Sequence, residues 1–304
     1  MRPGNTRFRG DGVSTPAGST GTDRLLRVGF VGLGDQGGPM AERVIQAGWR
    51  LHVFARRPDV LRRFEERGAI PVASLRELAE RSDVVHIMVV TDEQVREVVL
   101  GDNLLAGMRP GGILIVHSTV HPDTCRDLAT VAAVRNVCLL DAAVSGGARK
   151  AAVGELTVMV GGDKEAFSIA APVLSSFATT VRWMGDVGAG QATKLINNCM
   201  YIAHHATAHD ADVLIRRFGL DLHAAHEVLS TSSGSSWVFG RLAGQGGPPR
   251  HHPKGDAFAL QTVTKDVSHF RSYARSMGVT DTISDQIVDK VLALAKSGDV
   301  RFIG

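Results

Sequence analysis

The sequence predicts an α/β chain of two domains, a doubly wound parallel sheet followed by an all-α domain. Three observations predict it. Short apolar runs alternate with amphipathic stretches from Leu25 onward, a glycine-rich turn joins the first run to the first amphipathic stretch, and past Gly190 the strand-like runs stop. A length of 304 residues suits two domains. Glycine supplies 34 of those residues and aromatics only 5%, which fits a turn-rich α/β enzyme.

Strands are expected over residues 26–31, 50–54, 84–89, 113–116 and 137–140. Helices alternate with them over 37–47, 58–67, 75–80, 92–99 and 122–133. Two further strands, 156–160 and 180–183, flank a helix at 164–177 and complete the first domain. From Gln191 to Phe218 neither proline nor glycine interrupts, so a helix of about 40 Å leads out and forms the spine of the second domain. Helices at 222–229, 261–277 and 282–297 follow, with residues 244–255 as a Gly/Pro loop that carries His251 and His252. The expected division is a flexible tail over 1–24, a sheet domain over 25–186 and a helical domain over 187–304.

Composition excludes several functions. Lys and Arg number 34 against 31 Asp and Glu, a net +3 that is too even to grip nucleic acid by charge. No run reaches the ~18 apolar residues of a membrane helix. The N-terminal stretch carries Arg2, Arg7 and Arg9 but no apolar core of a secretory signal. Cys125, Cys138 and Cys199 are scattered without CxxC spacing, against a disulfide framework or a zinc site. His204, His205 and His209 crowd the long helix, and the last two have metal spacing, but Ala206 stands where a zincin needs glutamate, so no metal is expected. The expectation is a cytoplasmic protein without nucleic-acid or membrane partners.

The glycine-rich turn reads Gly32-Leu33-Gly34-Asp35-Gln36-Gly37, directly after a strand and directly before a helix. Gly32 permits a tight turn, Gly34 the approach of a pyrophosphate, and Gly37 the packing of helix on strand; the helix N-terminus then faces the phosphates. This marks a Rossmann-type dinucleotide domain, with Gly32, Leu33, Gly34, Gln36 and Gly37 as cofactor-binding residues. At the end of the second strand, where an NAD-selective site carries an acid, the chain reads Phe54-Ala55-Arg56-Arg57-Pro58. A guanidinium suits a dianionic 2′-phosphate, so Arg56 and Arg57 favour NADP over NAD.

Three later segments carry the chemistry: the run from Asp141 to Gly147, the run from Gly188 to Asn198 that opens the long helix, and Lys265-Asp266 in a C-terminal helix. Lys194 and Asn198 are four apart and share a helix face. Burial lowers a lysine pKa toward neutrality, where it can exchange the proton of a substrate hydroxyl while hydride moves to or from a nicotinamide. Asn198 can hold either the lysine or the hydroxyl oxygen. Ser145, Gly146 and Gly147 offer backbone N–H groups and a hydroxyl to a small carboxylate-bearing substrate.

Together with the glycine-rich turn, these segments resemble the β-hydroxyacid dehydrogenases, the family of 3-hydroxyisobutyrate dehydrogenase and tartronate semialdehyde reductase, related to 6-phosphogluconate dehydrogenase. The resemblance runs from about Arg27 to about Ala295. It implies hydride transfer between NADP(H) and a small 3-hydroxy acid or semialdehyde, with Lys194 catalytic and Ser145, Gly146 and Gly147 on the substrate. It also implies Val90, Thr91 and Thr119 against the cofactor, Lys265 near the nicotinamide end, and Trp237 bordering the substrate pocket; Trp237 as a core or dimer contact is the competing reading. Gln36, His117, Ala143, Lys150, Asp210 and Thr282 depart from the family pattern. Lys150 either faces solvent or adds a positive charge at the substrate mouth. An imine reductase of similar fold would carry Asp or Tyr in place of Lys194, and a non-catalytic cofactor-binding or oligomerisation module would be expected to lose that lysine. An apolar-faced helical domain suggests a homodimer or homotetramer.

Overall fold

The computed structural model describes residues 26–101, 103–243, 255–280, 282–298 and 302. The expected tail, and His251 and His252 in the expected Gly/Pro loop, lie outside the described residues. The first half alternates β1 (Arg27–Val31), α1 (Gly37–Gln46), β2 (Arg50–Phe54), α2 (Pro58–Glu65), β3 (Ile70–Pro71), α3 (Leu75–Glu80), β4 (Val84–Ile87) and α4 (Asp92–Arg96). After a π-helical turn at Glu97–Gly101 come α5 (Leu104–Gly107), β5 (Ile113–Val116), α6 (Pro122–Ala133), β6 (Cys138–Ser145), α7 (Gly147–Val153), β7 (Leu156–Gly161), α8 (Lys164–Leu174) and β8 (Ala178–Gly185). The helical part is α9 (Ala189–Arg217), α10 (Leu222–Thr231), α11 (Trp237–Ala243), α12 (Asp256–Ser276) and α13 (Ile283–Ser297).

All eight strands form one sheet in the order β3-β2-β1-β4-β5-β6-β7-β8. The order reverses between β1 and β4, the place where doubly wound sheets open a crevice for ligands. The expected all-parallel sheet needs one correction: β7 runs antiparallel to β6, and β8 then runs parallel to β7. The cause is connection length. Residues 146–155 are fewer than the dozen or so a parallel crossover needs, so β7 starts at the end of the sheet where β6 stops. Strand β6 also runs on to Ser145, four residues past its parallel pairing with β5, because it gains β7 as a partner there.

Apolar side chains fill both faces of the sheet. Phe30, Met40, Val44, Phe64 and Phe177 belong to one layer, and Leu78, Val95, Leu114 and Leu128 to the other. Helix α9 has 29 residues, about 43 Å at 1.5 Å each. Its buried stripe, Leu195, Cys199, Ile202 and Ala208 among it, recurs every three or four residues. Cys199 and Ile202 pack with Val267 of α12 and Val288 and Val291 of α13 to make a third core. No described helix is long and apolar enough to cross a membrane.

Candidate active site

The turn after β1 takes the shape its glycines allow. Gly32 has φ +90°, a left-handed conformation, and a side chain there would run into the Met88 carbonyl. A side chain at Gly37 would strike the Gly32 carbonyl, whereas Gly34 opens onto free space. Close packing at Gly32 and Gly37 and an open face at Gly34 leave room for a diphosphate at the start of α1. Leu33 is buried beneath the turn, and Gln36 is the N-cap residue of α1 without a side-chain cap bond.

Arg56 and Arg57 are exposed directly after β2, with Arg57 at the N-cap of α2. The neighbouring loops are stitched together. The Ser118 hydroxyl accepts the Val89 N–H at 2.9 Å, and the Thr91 hydroxyl caps α4. Val90 is exposed at this edge and Thr119 half-buried. These loops follow β4 and β5, beside the crevice.

Helix α9 is docked by a buried carboxylate. Asp141 on β6 accepts the Gly188 N–H at 2.7 Å and the Gln191 N–H at 2.8 Å, filling the free donors at the helix start. Burial pushes its carboxyl up to about 6, against those same backbone bonds. Gln191 reaches back, donating to the Ser118 carbonyl at 2.8 Å and accepting the Val120 N–H at 3.2 Å. Gly190 lies so close to β6 and β7 that a methyl would stand 2.6 Å from the Asp141 carbonyl oxygen. One turn later comes Lys194. Burial pushes its ammonium down to about 8, with Lys265 adding to the shift and Asp266 opposing it.

Asn198 follows one turn on, but its partner is neither the lysine nor empty space. Its Nδ2 donates to Asp266 Oδ2 at 2.7 Å, and its Oδ1 accepts from Asn197 at 3.1 Å. Lys265 donates to the carbonyls of Val90 and Thr119 and sits 3.2 Å from Asp266 Oδ1. Lys194, Asn198, Asp266 and Lys265 are therefore one cluster that touches the loops after β4 and β5. The groove between α12 and α13, lined by Thr264, Ser268, Arg271 and Arg275, shares no lining residue with this cluster, whereas Asn198 and Asp266 line a small cavity together with Cys199, Ile202 and Phe270.

Residues 27–185 match the family model described as the NAD binding domain of 6-phosphogluconate dehydrogenase. Residues 188–300 match the one described as NAD-binding of NADP-dependent 3-hydroxyisobutyrate dehydrogenase. The chain belongs to the β-hydroxyacid dehydrogenase family. It is similar to an L-threonate dehydrogenase of Cupriavidus necator, 40% identical over 214 residues that cover 70% of this chain and 72% of that one. A 3-hydroxyisobutyrate dehydrogenase of Pseudomonas aeruginosa is 38% identical over 215 residues, 70% of this chain and 72% of that one. Among solved structures, Mycobacterium tuberculosis 3-hydroxyisobutyrate dehydrogenase with L-serine superposes with TM-score 0.79 at 27% identity, covering 91% of this chain and 96% of that one. This dehydrogenase therefore binds a pyridine nucleotide and acts on hydroxyl groups.

Within this family member, two of the departures from the family pattern, His117 and Lys150, find physical accounts. His117 does not face the crevice. It is fully buried directly after β5, its Nδ1–H donating to the Ala142 carbonyl at 2.7 Å. Its Nε2 then accepts from His86 Nδ1 at 2.8 Å, and Phe30 stacks on both rings. Lys150 stands in α7, a helix the sequence reading missed, where its stem lies over Gly146. Gly146 and Gly147, with φ +128° and +69°, make the turn from β6 into α7 beside half-buried Ser145. Trp237 is half-exposed and packs on Tyr201, seven residues past Lys194 on the same face of α9 and about 10 Å along the axis. His205 is buried against Tyr201 and Phe302. Among the described residues no cluster of three metal-binding side chains occurs. Sequence reasoning missed Asp141, Gln191 and Asp266 as site-building residues.

Proposed function

We propose that the chain is an NADP(H)-preferring dehydrogenase that interconverts a small 3-hydroxy acid and its semialdehyde or keto form, with Lys194 as general acid and base. The observation that carries this reading is Lys194 itself: a half-buried lysine with its pKa pushed down to about 8, clustered with Lys265, which bonds the two cofactor-facing loops. A group titrating near neutral pH suits proton exchange in both directions.

The bound nicotinamide supplies a hydride acceptor or donor. In the oxidation direction neutral Lys194 takes the hydroxyl proton as the C–H bond breaks and the carbonyl forms; in reduction, the protonated lysine returns it. Asn198, held by Asp266, would orient the substrate oxygen from the next turn of α9. Ser145, Gly146 and Gly147 would receive the substrate carboxylate, with Trp237 farther along α9 at the rim. Gly32, Leu33, Gly34, Gln36 and Gly37 would cradle the diphosphate, Val90, Thr91, Thr119 and Lys265 would border the nicotinamide half, and Arg56 and Arg57 would meet the 2′-phosphate. The absence of an acid at the end of β2 supports NADP over NAD.

Turnover of L-threonate, 3-hydroxyisobutyrate, tartronate semialdehyde, succinic semialdehyde and an imine, each with NADP(H) and NAD(H), tests the reading. It predicts turnover of a hydroxy acid or semialdehyde with the phosphorylated cofactor preferred. Imine reduction alone, or a preference for NADH, would overturn it. Exposed apolar residues on α9, Ile196, Met200 and Leu214, and Phe218 at its C-cap support self-association as a homodimer or homotetramer, which a monomer in gel filtration would contradict.

A further inference from the structure

Helix α12 presents a single face to the sheet domain. Lys265, His269 and Tyr273 stand four residues apart, one above the other along the helix. Each makes a polar contact across the gap. Lys265 bonds the Val90 and Thr119 carbonyls, His269 Nε2 lies 2.8 Å from Asp92 Oδ2, and the Tyr273 hydroxyl accepts from Arg126 at 3.0 Å. The middle contact has a distinctive partner. The other oxygen of Asp92 accepts the His121 N–H and the Thr124 hydroxyl, both at 2.8 Å. Asp92 thus ties the loop after β4, which carries Val90 and Thr91, to the loop after β5, which carries Thr119.

We infer that His269 is a positioning residue: through Asp92 it fixes helix α12 on the two cofactor-facing loops and thereby sets where Asp266 holds Asn198 beside Lys194. This rests on the reading of Lys194 as the proton-transfer group. The contact is largely shielded, with side-chain exposures of 18% for His269 and 14% for Asp92, so it is less screened than a surface pair. Burial alone would raise the Asp92 carboxyl; the bonds from His269, the His121 N–H and Thr124 hold it well below the usual carboxylate range. The surrounding charged and titratable groups are Glu93 on α4, His121, Asp123 and Arg126 at the start of α6, and Lys265 and Tyr273 on α12. Asp92 is the carboxylate whose Oδ2 lies 2.8 Å from His269 Nε2. The next residue after Lys265 is Asp266, so a slip of α12 that breaks the His269 contact also moves the Asp266 bond to Asn198.

The test compares His269→Leu, which removes the polar contact, with His269→Gln, whose amide N–H can reach Asp92 from a similar distance along the side chain. Measured are kcat on whichever hydroxy acid the wild type turns over fastest, the NADPH dissociation constant by fluorescence, and amide hydrogen exchange across the chain. His269→Leu should lower kcat about tenfold or more, in keeping with the sensitivity of catalysis to small misplacements. It should also speed exchange in α12 relative to the sheet, while the NADPH dissociation constant changes less than about threefold. His269→Gln should restore kcat to within about threefold of wild type and restore slow exchange in α12. Equal loss in both variants would show mere packing and overturn the inference. So would faster α12 exchange without loss of kcat, because the contact would then hold the domains without positioning the reaction. A Lys194→Ala enzyme that retains turnover would refute the lysine reading instead, and the exchange result would stand apart from it.

Discussion

Substituting Gly190 by alanine probes the joint that places Lys194. The added methyl would sit 2.6 Å from the Asp141 carbonyl oxygen and 2.9 Å from its Oδ2, with the Met159 carbonyl closer still. Carbon and oxygen rest at about 3.3 Å or more, so α9 must back away by about 1 Å from the Met159 carbonyl, which the methyl would approach to 2.3 Å. The opposing atoms are mainly backbone of two paired strands and cannot yield cheaply. The same turn holds the Gly188 and Gln191 bonds to Asp141 at 2.7 and 2.8 Å, which the displacement would stretch beyond useful length. Overpacking costs about 1–3 kcal/mol, and weakening charge-assisted bonds adds about 1.5–3 kcal/mol, so Gly190→Ala should lose roughly 3–5 kcal/mol. Lys194, one turn on, should shift with the helix and kcat should fall by about one to two orders of magnitude. Urea denaturation gives the first quantity and steady-state kinetics the second. A variant within about 0.5 kcal/mol of wild type, with kcat within about twofold, would refute this account of how α9 is docked.

Other expectations follow from the same contacts. Because Lys194 titrates at about 8, hydroxy-acid oxidation should rise with pH through about 8 and carbonyl reduction should decline above it; parallel limbs in the two directions would contradict the assignment. Burial holds His117 and His205 near 4 and His86 well below its usual value, so the unfolded chain binds protons first as pH drops below about 6.5. His117 and His205 each then cost about 2 kcal/mol of stability at pH 5, partly offset by Asp141, whose raised pKa works in the opposite sense. Equilibrium urea curves at pH 7 and 5 should differ by about 3 kcal/mol, and a flat profile would count against the buried neutral histidines. Arg56→Ala should weaken NADPH tens-fold, a loss of about 1.5–3 kcal/mol, and leave NADH nearly unchanged; equal losses in titrations with the two cofactors would place Arg56 away from the 2′-phosphate.

Local spacing made much of the molecule legible. The glycine-rich turn lies within six residues, and Lys194 and Asn198 lie on one helix face, so both could be read from pattern alone. Helix α7 could not. It has seven residues and begins at the second of two glycines, Gly146 being its N-cap and Gly147 its first residue. The antiparallel turn of β7 depends on the length of that same connection and leaves no mark on hydrophobic periodicity. Asp141, Gln191 and Asp266 act over 47, 73 and 68 residues of sequence, respectively, where no local spacing links donor to acceptor. The surroundings of His117 were illegible for a related reason: it directly follows β5, which is buried along its whole length, so no alternation of polar and apolar residues shows which way its side chain points.

The central claim is that Lys194 moves the substrate proton, and Lys194→Ala tests it most directly. NADPH binding, followed by fluorescence, should stay within about threefold of wild type, because the residues proposed to contact the dinucleotide lie mainly on the sheet domain. Turnover should fall by about 10²–10⁴-fold, the usual contribution of a positioned acid or base. A variant that binds cofactor normally and retains more than about a tenth of the wild-type kcat would contradict the account.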